Sequence, residues 1–117
     1  MTMTADKSNI EDRIIEFQKM EKQLEMYMGQ KHQFEMQLAE TSVALEEIGL
    51  LDENAELYKS TGGFFIKTRK GIALDELNGR KSLLDSRIKM FKDQEEKLKS
   101  TLTRLGKSLE EDMKGAK

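Results

Sequence analysis

The sequence predicts a mainly α-helical protein, a long antiparallel two-helix coiled coil with a single β-hairpin in its central connector. Three observations predict this fold. Each half of the chain carries apolar residues at a 3.5-residue period, proline is absent, and a glycine pair at the middle precedes three large apolar residues. With 37% hydrophobic and 36% charged residues, the 117-residue chain has too little apolar material for a compact globule, which favours long exposed helices.

The first helix is predicted over residues 9–49. Ser8 is a suitable N-cap, with Glu11 three residues later to complete a capping box, and Gly49 is placed where a left-handed residue would end the helix. Steps of three and four residues trace a seam along this helix. Its positions are Ile10, Arg13, Phe17, Met20, Leu24, Tyr27, Lys31, Phe34, Leu38, Thr41, Leu45 and Ile48.

The second helix is predicted over residues 74–114 and carries a seam of the same length. Its positions are Leu74, Leu77, Lys81, Leu84, Ile88, Phe91, Glu95, Leu98, Leu102, Leu105, Leu109 and Asp112. The two seams are symmetric about Thr61, where the chain must turn if they pack antiparallel. Equal arms about a central turn favour a helical hairpin within one chain over a parallel dimer of whole chains.

The connector, residues 50–73, is far longer than the 2 to 8 or so residues usual between antiparallel helices. Gly62 and Gly63 suit a tight turn between two short strands, and aromatic and β-branched residues follow them. A lone hairpin is marginal in water and leaves unpaired strand edges. Because no other strand is left in the chain, we expect strands of other subunits to pair with it, which makes the hairpin an oligomerisation element.

Several classes of function are disfavoured by composition. The chain has no cysteine and one histidine, His32, which has no second nitrogen ligand nearby and is best interpreted as a solvated helix residue. We find no carboxylate dyad, triad or phosphate loop, and therefore expect no enzyme, metal or cofactor. The net charge of -2 and the lack of a long apolar run predict a soluble, cytoplasmic protein that binds neither nucleic acid nor membrane.

The central segment Ala55 to Leu77, AELYKSTGGFFIKTRKGIALDEL, lies between two coiled-coil arms and carries the most specific similarity to a known family. The chain resembles the β-type subunit of prefoldin, most closely the archaeal form. Room for only one hairpin indicates the β type, since the α type carries two. The similarity in architecture extends over residues 1–117, which are predicted to form a single domain.

The resemblance implies a molecular chaperone. Two α-type and four β-type subunits would join their hairpins into an inter-subunit β-barrel. The coiled coils would hold non-native proteins at their distal tips without ATP and transfer them to a group II chaperonin. The assembly role falls on Leu57, Tyr58, Phe64, Phe65 and Ile66. The client-binding role falls on Ile10, Ile14, Phe17, Leu105, Leu109 and Met113.

Two alternatives remain at the level of sequence. One is a structural or tethering coiled coil without chaperone activity, in which the hairpin only caps the bend and the distal apolar residues only join the helices. The other is a nucleic-acid-binding helical arm, which the near-neutral charge and the lack of a basic stripe disfavour.

Overall fold

The computed structural model describes the backbone of residues 2–115 and the side chains of residues 9–115. Its elements follow in the order α1 (Thr2–Gly49), β1 (Leu57–Thr61), β2 (Phe64–Thr68) and α2 (Lys70–Gly115). The predicted combination of two long helices with one antiparallel hairpin between them is confirmed. Neither described helix contains a stretch long and apolar enough to cross a membrane.

The chain divides into two compact units. Met1–Lys31 and Met90–Lys117 form the first, here called the terminal unit, and His32–Lys89 form the second, here called the hairpin unit. Each unit takes one segment from α1 and one from α2, and the second also contains both strands.

The terminal unit is held together by side chains from both helices. Leu102 and Leu109 are buried, and the rings of Tyr27 and Phe91 lie with their centroids 5.9 Å apart. The ring of Phe17 lies over Gly106, where an added Cβ would be 3.5 Å from the ring, an ordinary contact distance. The helices of this unit therefore pack as an antiparallel pair along the predicted seam.

In the hairpin unit the same seam continues with a smaller core. Leu84 and Thr41 are buried, and the Thr41 hydroxyl donates a hydrogen bond of 2.8 Å to the Gln37 carbonyl of its own helix. The Arg87 guanidinium lies 5.5 Å from the centroid of the Phe34 ring. The contact between Arg87 and Phe34 joins α2 to α1 in this unit.

The predicted seam positions are buried or half-buried at every place except Lys81 and Asp112, which are exposed. The seam therefore identifies the packed face of both helices. This outcome follows from the 3.5-residue period, because a helix that keeps this repeat presents one stripe to its partner over its whole length.

Charged residues on the seam of the terminal unit pair across the two helices. The Lys31 Nζ donates a hydrogen bond of 2.6 Å to Glu95 Oε2, and Arg13 donates to the carboxylate of Asp112 and to the hydroxyl of Ser108. Glu95 is almost fully buried. The hydrogen bond from Lys31 holds the pKa of the Glu95 carboxyl below its usual range, against the opposing effect of burial.

Both helices begin earlier than predicted. Helix α1 begins at Thr2 rather than at residue 9, and the Ser8 side chain of the predicted capping box lies outside the described side chains. Gly49 ends the helix as predicted, but its φ is not positive, so the predicted left-handed cap is wrong. Helix α2 begins at Lys70, before the predicted start at Leu74, and a hydrogen bond from the Ala73 amide to the Arg69 carbonyl closes its first turn.

Those corrections have physical reasons. No glycine or proline interrupts residues 2–8, so nothing in the sequence stops the helix from extending beyond Ser8. Gly71 obscures the start of α2, since glycine is a poor helix former.

That the whole chain forms one domain stays a prediction.

Candidate assembly and client-binding surfaces

The hairpin is built on a two-residue turn. Gly62 and Gly63 have φ angles of 56° and 84°, and Thr61 pairs with Phe64 across them. Positive φ at both central residues defines a turn whose twist matches that of the strands it joins, and glycine adopts it without steric cost. The register then continues through Ser60 with Phe65 to Leu57 with Thr68.

The alternation of side chains along the strands gives the hairpin two faces. Phe64 and Ile66 share one face with Leu57, and Phe65 shares the other with Tyr58. The side chains of Phe64 and Phe65 remain 75% and 76% exposed, and those of Tyr58 and Ile66 are also exposed. Since the described sheet has only two strands, each strand also has one edge without a backbone partner.

The base of the hairpin contacts the helices of its own unit. Leu57 is half-buried and lines a crevice with Ile48 and Leu77. The Lys59 Nζ lies 3.0 Å from Glu76 Oε2, an exposed ion pair between β1 and α2. Of the five residues predicted for assembly, Leu57 is therefore half-buried at the base of the hairpin, and the other four face solvent.

The six residues predicted to bind clients all belong to the terminal unit. Leu109 is buried, and Met113 is 54% exposed. The other four, Ile10, Ile14, Phe17 and Leu105, are half-buried. Their binding role stays a prediction, but Met113 is the one member whose side chain is free for contact without any opening of the helix pair.

Ile15 is an exposed apolar residue of the same unit that was not predicted as a candidate. Ile15 is 51% exposed, whereas its neighbour Ile14, which also lies off the predicted seam, is half-buried. The signal was present, because the seam passes through Arg13 and Phe17 and leaves residue 15 on the opposite side of the helix.

Among the described residues, no group of three or more histidines and carboxylates is arranged to hold a metal ion.

Comparison with known proteins identifies the family. A family model described as prefoldin subunit matches residues 11–116. The chain belongs to the prefoldin subunit family. A prefoldin subunit beta from Pyrobaculum neutrophilum is 36% identical over 97 residues, which cover 83% of this chain and 77% of the relative. The prefoldin subunit beta from Archaeoglobus fulgidus is 32% identical over 90 residues, 77% of this chain and 78% of that one.

A solved prefoldin structure agrees with the fold. The crystal structure of the prefoldin beta subunit from Thermococcus strain KS-1 superimposes with a TM-score of 0.83 and 28% sequence identity, covering 88% of this chain and 90% of that chain. The resemblance of the central segment to archaeal β-type prefoldin is thereby confirmed.

Proposed function

We propose that this chain is a subunit of an ATP-independent chaperone that holds non-native proteins. Membership of the prefoldin β family implies the role of a chaperone subunit in a complex with other prefoldin subunits. The finer proposal is a hexamer of two α-type and four β-type subunits that acts in the cytoplasm and passes its clients to a group II chaperonin.

The observation that carries the assembly proposal is the exposure of Phe64 and Phe65 on opposite faces of a two-stranded sheet. Burial of one such side chain contributes about 1.5–3 kcal/mol, and unpaired strand edges accept further strands readily. If hairpins of several subunits join edge to edge, as in the proposed β-barrel, the phenylalanine side chains become buried and the strand edges become paired. Tyr58 and Ile66 complete this surface, and Leu57 lies half-buried at its base.

Client binding is proposed for the terminal unit. Met113 offers a flexible, polarisable side chain of the kind that adapts to many partners. Ile10, Ile14, Phe17 and Leu105 are half-buried and would add contact area if the helix pair opened near its ends, while Leu109 would first have to leave the core. Several such weak contacts on one platform gain strength from tethering, and each remains easily released.

The client-binding proposal is tested in the complex with an α-type prefoldin subunit, by light scattering of a client diluted from denaturant. We expect Met113→Asp to weaken protection about tenfold, since loss of about 1.4 kcal/mol of contact is a tenfold loss of affinity. Met26→Asp is the matched control, because Met26 is similarly exposed in the same unit but lies further from the termini.

Leu109→Ala distinguishes loss of client binding from loss of packing between the two helices. Because Leu109 is buried, we expect this variant to lower the stability of the helix pair by about 2–5 kcal/mol. Full protection by Met113→Asp would place the client elsewhere. Absence of protection by the unmodified complex would favour the tethering coiled coil instead.

A further inference from the structure

Helix α1 ends without a cation of its own. Its last turn contains no basic residue, although the exposed carbonyls at a helix C-terminus favour positive charge. The amides of Leu50 and Leu51 donate to the carbonyls of Glu47 and Ile48, which closes the final turn. The carbonyls of Gly49 and Leu51 accept neither of these two hydrogen bonds.

Lys70 supplies the missing cation from the other helix. Its Nζ donates hydrogen bonds of 3.1 Å to the Gly49 carbonyl and 2.9 Å to the Leu51 carbonyl. Lys70 is also the first residue of α2, where the helix dipole disfavours a positive charge and where no acidic residue offsets it. A lysine at this position is therefore unfavourable for its own helix and favourable for α1.

The place of Lys70 gives this contact a consequence for the hairpin. Strand β2 ends at Thr68, and Arg69 alone separates it from Lys70. The bonds from Lys70 to Gly49, the last residue of α1, and to Leu51 just beyond it therefore close the segment that contains both strands. The ion pair between Lys59 and Glu76 joins the first strand to α2 independently.

We propose that Lys70 is a positioning residue that holds the base of the hairpin, so that both strands are presented for assembly. The part of this inference that concerns assembly rests on the proposed function. The part that concerns the hairpin base does not, and it is measurable on the chain without a partner.

Hydrogen exchange of the full chain tests the role of Lys70. In Lys70→Met, which keeps the aliphatic stem and removes the ammonium, we expect amides of residues 50–68 to exchange about tenfold faster, because local opening becomes easier. Lys70→Arg should restore slow exchange, since a guanidinium donates to two carbonyls. Lys89→Met is the control, because it removes an exposed lysine from the same helix and unit.

Mixing each variant with an α-type prefoldin subunit then tests the link to assembly by native mass. We expect Lys70→Met to assemble about tenfold more weakly and Lys70→Arg to assemble normally. Unchanged exchange in Lys70→Met, or exchange in Lys70→Arg as fast as in Lys70→Met, would overturn the proposal.

The failures are distinguishable. Faster exchange with unchanged assembly would overturn the positioning role alone, whereas failure of the unmodified chain to assemble would contradict the proposed function and leave the exchange result standing. If Lys70→Met does not fold, Lys70→Gln replaces it, since glutamine keeps a shorter donor. Its exchange at residues 50–68 should exceed that of the unmodified chain, and equal exchange would overturn the proposal.

Discussion

At the scale of single residues, the informative side chains are the polar ones on the seam. Lys31 and Glu95 lie at positions where a coiled coil ordinarily takes apolar residues, and they pair across the helices. A buried charge without its partner is destabilising, and a shift of one helix along the other would leave the Glu95 carboxylate buried and unpaired. The pair therefore favours this one register of the terminal unit.

The pairing makes stability of the terminal unit sensitive to acid. Because the pKa of Glu95 is held below its usual value of 4.5 in the folded chain, its contribution is present above that pH and is lost as pH falls through the lowered pKa. We expect Glu95→Gln to lower the free energy of unfolding by about 2 kcal/mol at pH 7, the range of a hydrogen bond between charged groups, and by much less well below the lowered pKa.

Chemical denaturation at neutral and strongly acidic pH, at one protein concentration, measures this difference. Glu96→Gln is the control, since Glu96 is the exposed neighbour of Glu95 on the same helix. An equal loss at both pH values for Glu95→Gln would show that the Lys31 bond does not stabilise the folded chain through the ionised carboxylate.

The sequence predicts which residues line the seam but not which charged positions meet. Lys31 and Glu95 each interrupt the apolar period, and the period alone does not assign partners to them. Ile14 and Ile15 do not share this limit, because adjacent residues differ by about 100° around a helix and the seam alone places residue 15 opposite the packed face.

At the scale of elements, the two helices were predicted and their first residues were not. A capping residue contributes only about 1 kcal/mol, so it does not by itself end a helix where no glycine or proline precedes it, as at Thr2 to Lys7. The way in which the end of α1 at Gly49 is capped was predicted wrongly for another reason. Lys70 reaches it from the far side of the connector, and a local pattern carries no information on so distant a partner.

Glycines inside the helices give a prediction at this scale. Gly29 and Gly79 are exposed, and an added Cβ at either would meet nothing within 4 Å. We therefore expect Gly29→Ala and Gly79→Ala each to raise the free energy of unfolding by about 1 kcal/mol, the difference in helix propensity between the two residues.

Thermal unfolding at fixed concentration is the measurement. Gly62→Ala is the opposing control, because its φ of 56° strains any residue with a Cβ, and we expect it to lower stability. A fall in stability for Gly29→Ala or Gly79→Ala would mean that the glycine is required there for a contact outside this chain.

At the scale of the whole molecule, the hairpin is the part of the chain least complete in isolation. The sequence predicted its strands, its turn and its need for partners, because the glycine pair and the apolar run are local signals. The number and order of subunits around it follow from no pattern within one chain. They depend on edges and faces that other chains would cover.

The central claim is that this chain assembles through its hairpin. To test that surface, Phe64→Ser with Phe65→Ser removes two exposed phenylalanines, and Met36→Ser with Val43→Ser removes two exposed apolar residues of α1 in the same unit. Loss of two aromatic contacts, about 3 kcal/mol in all, should weaken each hairpin contact about a hundredfold.

Native mass measurement of the chain, alone and mixed with an archaeal α-type prefoldin subunit, tests this claim most directly. We predict a hexamer of two α-type and four β-type subunits for the unmodified chain and for the α1 control, and smaller species for the double phenylalanine variant. A chain that stays monomeric or dimeric with the α-type subunit, or a phenylalanine variant that assembles fully, would contradict it.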